Sequence, residues 1–209
     1  MPTTIHDILA EFREAETSNR EMGDKFERLV ASYLKTDPLY QDKYSKVWLW
    51  LEWPGRGKQP DTGIDLVAEE RHTGEICAIQ CKFYSPTHIL HKDDIDSFFT
   101  ASGKKPFSSR IIISTTDRWS KHAETALDNQ TIPVQRLRLQ DLANSPVDWA
   151  VVHAGTAADA TQHLPHIASQ HLGAPIVDQN DMHFFWAVVV TGALRTIIER
   201  HILREFGTK

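Results

Sequence analysis

Three side chains near the middle of the chain have types and spacing that could do chemistry together. Asp65, Gln80 and Lys82 supply a carboxylate, an amide and an ammonium. Gly63-Ile64-Asp65-Leu66-Val67-Ala68-Glu69 and Ile76-Cys77-Ala78-Ile79-Gln80-Cys81-Lys82-Phe83 are apolar runs around a polar turn, Arg71-His72-Thr73-Gly74. That pattern predicts a β-hairpin. Alternation puts Asp65, Val67 and Glu69 on one face of the first strand, and Ile76, Ala78, Gln80 and Lys82 on one face of the second. A loop centred on His72-Thr73 sets Asp65 opposite Gln80, and one centred on Thr73-Gly74 sets it opposite Lys82. Either register gathers the three at the open end of the hairpin; a bulged loop would break the alignment. Carboxylate and amide oxygens suit a hard divalent cation, and an ammonium beside them suits negative charge developing on a reacting group.

The surrounding elements must hold these groups. Cys77, Ile79, Cys81 and Phe83 make the other face of the second strand apolar, so this strand is expected to be central and covered on both sides. A polar pair at the rim of such a strand needs a reason; the plain alternative is a strand that runs out into solvent with Lys82 snorkelling. Upstream, Ile5, Ile8, Leu9 and Phe12 recur at helical spacing, as do Met22, Phe26, Leu29, Val30, Tyr33 and Leu34, and the second pattern stops before Asp37-Pro38. Glu27 sits at the edge of that stripe and by itself reads as a solvated helix residue.

Val47 to Trp53 predicts the first strand. A Gly/Pro-rich basic loop follows, in which Arg56 and Lys58 suit phosphate contacts as well as plain solvation. Asp61, after Pro60, is the second choice for the acid. Past the hairpin the pattern predicts a helix from Asp93-Asp94 carrying Ile95, Phe98 and Phe99, and a strand over Arg110–Thr116. A helix over Asp117–Asn129, a short strand over Val134–Leu139 and a short helix from Gln140 come next. Together these predict an α/β domain with a mixed sheet over residues 1–150.

Of 209 residues, 41% are hydrophobic and 24% charged, the profile of a globular chain. A net charge of −5 excludes a globally basic surface, so contact with nucleic acid must come from a local patch. The two cysteines, Cys77 and Cys81, share a strand face about 13 Å apart, too far for a disulfide. They read as core thiols in a reducing, cytoplasmic setting. No apolar run is long enough to span a membrane, and the N-terminus lacks a signal peptide's apolar core. In residues 151–209, Ala154–Ala160 reads as a linker. His163, His166 and His171 lack acids or cysteines at ligand spacing. Phe184–Phe206 predicts one apolar helix that buries against the domain or pairs a homodimer.

Gly63-Ile64-Asp65, a hairpin, then Gln80-Cys81-Lys82 resembles the PD-(D/E)xK nuclease superfamily in its Mrr-like form, with glutamine at the usual second acid. Phe26–Val30, Thr36–Tyr40, Val47–Trp50, Ile79–Tyr84, Asp94–Phe99 and Ile113–Asp117 are similar to the N-terminal nuclease domain of single-polypeptide type I restriction enzymes and restriction helicases. The resemblance covers about residues 5–150. It implies a restriction-endonuclease-like α/β fold, a mixed central sheet flanked by helices. The extra C-terminal helical segment is outside that pattern.

It also implies Mg²⁺-dependent hydrolysis of DNA phosphodiesters, with Mn²⁺ as a substitute. Asp65, the side-chain oxygen of Gln80, the Cys81 backbone carbonyl and Glu27 would hold the ion, and Lys82 would orient water or stabilise charge. The resemblance also implies a helicase or methyltransferase as a partner, neither of which lies in these 209 residues. The alternative is a catalytically silent nucleic-acid-binding or assembly module with the same fold.

Overall fold

The computed structural model describes residues 2–15, 18–58 and 63–156. All of these fall within a compact unit assigned to residues 1–163. Asp61, the three histidines at 163, 166 and 171, and the apolar helix expected at 184–206 lie outside the described residues.

Five strands stand side by side in chain order: β1 (Tyr44–Leu49), β2 (Leu66–Glu70), β3 (Ile76–Lys82), β4 (Phe107–Ser114) and β5 (Val134–Leu137). The first three pair antiparallel and the last three parallel. A parallel pair needs a crossover. Helix α4 (Asp93–Ser102) lies between β3 and β4 in the chain, and the short α5 (Lys121–Thr125) between β4 and β5. Ahead of the sheet come α1 (Ile5–Glu14), α2 (Asn19–Thr36) and α3 (Pro38–Lys43), and α6 (Leu139–Ala143) follows it.

The pleat sends alternate residues of β2 and β3 to opposite faces. Leu66, Ala68, Cys77 and Ile79 pack with Phe26 and Leu29 of α2. Val67 and Ala78 pack with Ile95 and Phe98 of α4. β3 is thus central and doubly covered, as its apolar faces predict. The first of these cores also takes in Trp149 and Val152. Tyr33 stacks on Trp149 at 5.5 Å, and the Ser32 hydroxyl donates to the Val152 carbonyl at 2.7 Å. Packing therefore continues past residue 150.

Several expected elements shift. The expected strand over Val47–Trp53 begins and ends early: the Trp50 N–H donates to the Asp65 carbonyl at 2.8 Å, and Trp50–Glu52 then coils into a single 3-10 turn. The second helix begins ahead of its first apolar residue, Met22. Ser18 and Glu21 form a capping box, so α2 starts at Asn19. The short helix α3 was not expected. Asp37 ends α2 and caps α3 at once, its carboxylate accepting the Leu39 N–H at 3.0 Å, with Pro38 in the first turn. The helix expected over Asp117–Asn129 shrinks to Lys121–Thr125, because the loop before it is used elsewhere. Leu90 donates to the Arg118 carbonyl and accepts from the Ser120 N–H, each at 2.9 Å. Those two bonds join the loop after β3 to the loop after β4.

Candidate active site

The hairpin turn fixes the register first. Glu70 N donates to Glu75 O at 2.8 Å and Gly74 N to Glu70 O at 3.0 Å. Gly74 at φ +71° takes the left-handed backbone that closes this loop. The ladder then pairs Leu66 with Ile79, the spacing of a loop centred on His72-Thr73.

At the rim the ladder departs from that spacing. Asp65 does not pair with Gln80 as a strand residue, since β2 opens at Leu66. The Asp65 N–H donates instead to Ile79 O at 2.9 Å, one residue off the register. Its carboxylate accepts the Cys81 N–H at 2.6 Å. Backbone N–H groups of a strand lie in the sheet plane, so the acid stands where a ladder carbonyl would be. The Asp65 carboxylate thus reaches the β3 backbone at Cys81, the residue between Gln80 and Lys82. The C=O of a strand residue points to the same side as its N–H, so the Cys81 carbonyl also faces Asp65.

Gln80 is 1% exposed. Its Nε2 donates to the Gly63 carbonyl at 3.1 Å, which can only accept, and this fixes the amide orientation. The Oε1 atom is buried with no hydrogen-bond partner among the described residues. Gly63, at φ +86°, cannot be replaced cheaply: a Cβ there would stand 3.0 Å from Ser97 Oγ and 3.7 Å from Gln80 Nε2.

Cys81 shows how the charged groups gather. Burial pushes its thiol well above the ordinary value, the carboxylates of Asp65 and Glu27 push it further, and Lys82 works against them. Three charged groups from β2's approach, from α2 and from β3 therefore act on one sulfur. Glu27 comes from the helix packed on the Cys81 face, held by its neighbour Phe26, whose ring meets Phe83 edge-on at 5.8 Å.

Arg56 is half-buried and Lys58 exposed in the loop that leads toward Gly63. Among the described residues no three His, Cys, Asp or Glu side chains gather into a metal-holding group. The donor set in hand is one strand-edge carboxylate, one orphaned amide oxygen, a backbone carbonyl and a helix glutamate. Hard oxygen donors of this kind fit Mg²⁺, and the bare Oε1 of Gln80 is the atom that such an ion would satisfy.

Asp94 escaped the sequence reading, which saw only a first-turn acid of α4. It accepts the Tyr84 hydroxyl at 2.9 Å and the His91 N–H at 2.7 Å, and His88 Nε2 stands 3.8 Å from it. Burial pushes its carboxyl up, but the His91 and Tyr84 bonds, His88 and Lys82 outweigh that and hold it below the usual range. The available signal was parity: Tyr84 lies two residues past Lys82.

Residues 35–159 match the Mrr_cat_2 family, described as restriction endonuclease. Among solved structures, the ATP-dependent Type ISP restriction-modification enzyme LlaBIII bound to DNA shares 33% identity at a TM-score of 0.58, over 71% of this chain and 9% of its own. MspJI restriction endonuclease, in complex with a 27-mer oligonucleotide, gives 16% identity and a TM-score of 0.46 over 75% of this chain and 34% of its own. DNA modification-dependent restriction endonuclease AspBHI gives 12% and 0.48 over 76% and 41%. The last two scores are too low to carry an argument, and this chain spans less than half the length of each of the three. No curated protein matches. The family match covers more than half of the chain, and the fold is the restriction-endonuclease-like mixed sheet flanked by helices. The chain belongs to the Mrr_cat_2 restriction endonuclease family.

Proposed function

We propose that this chain hydrolyses DNA phosphodiester bonds as a Mg²⁺-dependent endonuclease of a restriction system. The observation that carries the reading is the buried Oε1 of Gln80, without a hydrogen-bond partner among the described residues, on the strand whose next residue, Cys81, binds the Asp65 carboxylate through its N–H at 2.6 Å. In this reading Asp65, Gln80 Oε1, the Cys81 carbonyl and Glu27 hold the ion. When bound, Mg²⁺ neutralises charge on the phosphate and lowers the pKa of water.

The chain's own groups do the rest. The Cys81 N–H fixes the Asp65 carboxylate in the sheet plane. Gly63 fixes the Gln80 amide so that its oxygen, not its nitrogen, faces the cation. Lys82, an ammonium with donors only, is no ligand; it orients the attacking water or stabilises charge developing on the phosphate. Arg56 and Lys58 grip the DNA backbone at the loop leading into the site. Mn²⁺ substitutes for Mg²⁺, and a helicase or methyltransferase partner supplies target choice. The half-buried and buried thiols Cys81 and Cys77 are free and suit a reducing cytoplasm.

The test is nicking of supercoiled plasmid by purified protein with Mg²⁺ or Mn²⁺, against EDTA. Cleavage that EDTA abolishes supports the reading. No cleavage with either ion favours the silent DNA-binding module.

A further inference from the structure

We propose that Asp94 is a positioning residue for Lys82, set in place by Tyr84. The proposal rests on the reading of Lys82 given above and extends it to two residues outside the donor set.

Three observations meet here. First, alternation runs on past the end of β3. Phe83 packs with the core on the α2 side and Tyr84 with the core on the α4 side. Lys82 and Tyr84, two apart, therefore leave the strand at successive positions with the parity of the α4 face. Second, Tyr84 is pinned along its length. Its N–H donates to Thr115 Oγ1 and its carbonyl accepts from the same hydroxyl, each at 2.8 Å, while Arg13 Nη2 reaches that carbonyl at 3.2 Å. Its ring lies 3.9 Å from the His88 ring, and its hydroxyl bonds Asp94 at 2.9 Å. Third, the Asp94 carboxylate is itself fixed at both oxygens, by Tyr84 on one and by the His91 N–H on the other.

A carboxylate held this firmly, on the helix that the Lys82 face of β3 meets, is a fixed acceptor for a flexible ammonium. One turn along α4 from Asp94, Ser97 Oγ and the Gln80 amide both lie against Gly63, 3.0 and 3.7 Å from where its Cβ would stand, so this end of the helix lies over the Gln80 and Lys82 side of β3. A lysine stem has four rotatable carbons and no preferred direction of its own. A fixed anion to one side of the reaction centre restricts where its ammonium rests. Tyr84 then links the position of Lys82 to the sheet itself, through Thr115 at the end of β4.

Two measurements decide this. In steady-state cleavage of plasmid with Mg²⁺, Asp94→Asn is expected to lower kcat roughly 10- to 100-fold, the cost of misplacing a reacting group by about an ångström. The KM for DNA should stay within about twofold. Tyr84→Phe, which keeps the anion but frees it, should give a smaller loss in the same parameter. Asp96→Asn, whose carboxylate pairs with exposed Lys92 at 2.7 Å, should leave cleavage unchanged. Unchanged kcat in Asp94→Asn, or a raised KM at constant kcat, overturns the proposal.

The second measurement needs no activity. In urea unfolding without metal, Asp94→Asn should change the unfolding equilibrium about 3-fold more in wild type than in a Lys82→Met background, the size of a partly exposed charge pair. Additive effects overturn the coupling even where kcat falls. A wild type that nicks no plasmid under any metal defeats the nuclease reading, while the unfolding cycle still decides whether Asp94 holds Lys82.

Discussion

The Asp65 carboxylate takes the place of a backbone acceptor for Cys81, at 2.6 Å from its amide nitrogen. The residue proposed as the principal metal ligand is therefore also part of the sheet's hydrogen bonding. Asp65→Ala and Asp65→Asn should separate the two roles. Both lose metal-dependent cleavage. Only the alanine variant strands the Cys81 N–H, at about 1 kcal/mol, because asparagine keeps an acceptor oxygen. Urea melts of the metal-free variants check this, and equal stability of the two would remove the structural role.

Gln80→Glu restores the second acid of the superfamily pattern at a site that is 1% exposed. A carboxylate cannot donate to the Gly63 carbonyl that Nε2 now satisfies. The metal-free variant should be less stable at pH 7 by about 2 kcal/mol, the cost of a buried group left without its bond. Burial raises the folded pKa of the introduced carboxyl. Its stability is thus retained below the unfolded value of about 4.3 and lost as pH rises through the folded value. Mg²⁺ should recover more melting temperature in this variant than in wild type. Thermal melts at pH 4 and pH 7, with and without Mg²⁺, read all three effects.

Lys82→Ala should reduce plasmid nicking by about 100-fold, the cost of losing one group that stabilises the transition state. Mg²⁺ affinity by calorimetry and DNA affinity should stay near wild type. Nicking at the wild-type rate, at matched metal, would take Lys82 out of the mechanism.

Lys58 is exposed in the loop before the site. If it holds a phosphate, Lys58→Ala weakens binding and lowers the slope of log affinity against log salt by about 0.9. Fluorescence anisotropy on a labelled duplex from 50 to 200 mM salt measures that slope. An unchanged slope leaves Lys58 a solvated loop residue.

Asp94 also sets a pH dependence of stability. Its folded pKa lies below the ordinary value of 3.8, because bonds from His91 and Tyr84 and the charges of His88 and Lys82 outweigh its burial. A depressed carboxylate contributes stability that is present above the unfolded value and is lost as pH falls through the folded one. The stability difference between wild type and Asp94→Asn should therefore be level above pH 4 and shrink on acidification below it. Urea titrations at half-unit pH steps would show the opposite trend, or none, if those bonds do not form.

Much of this architecture is legible in the residues. Apolar faces on both sides of Ile76–Lys82 marked the central strand, and Gly74 with the alternation around it marked the hairpin. Other features depend on groups that serve two neighbours at once. Asp37 followed by Pro38 reads as a stop signal, yet the same carboxylate starts another helix. Trp119 looks like the inward residue of a long helix, but its segment is spent on bonds to Leu90. The departure at Asp65 could not be seen, because side-chain type does not say which carbonyl an N–H will choose. Gln80 was singled out as polar at a rim. That its oxygen would be left bare follows from the Gly63 carbonyl taking its nitrogen, a contact 17 residues apart in sequence.

The pair of bonds that ties Leu90 to Arg118 and Ser120 has a thermodynamic consequence. It joins the loops after β3 and β4, so that neither opens without breaking both bonds, and the two should unfold and exchange their amide hydrogens as one unit.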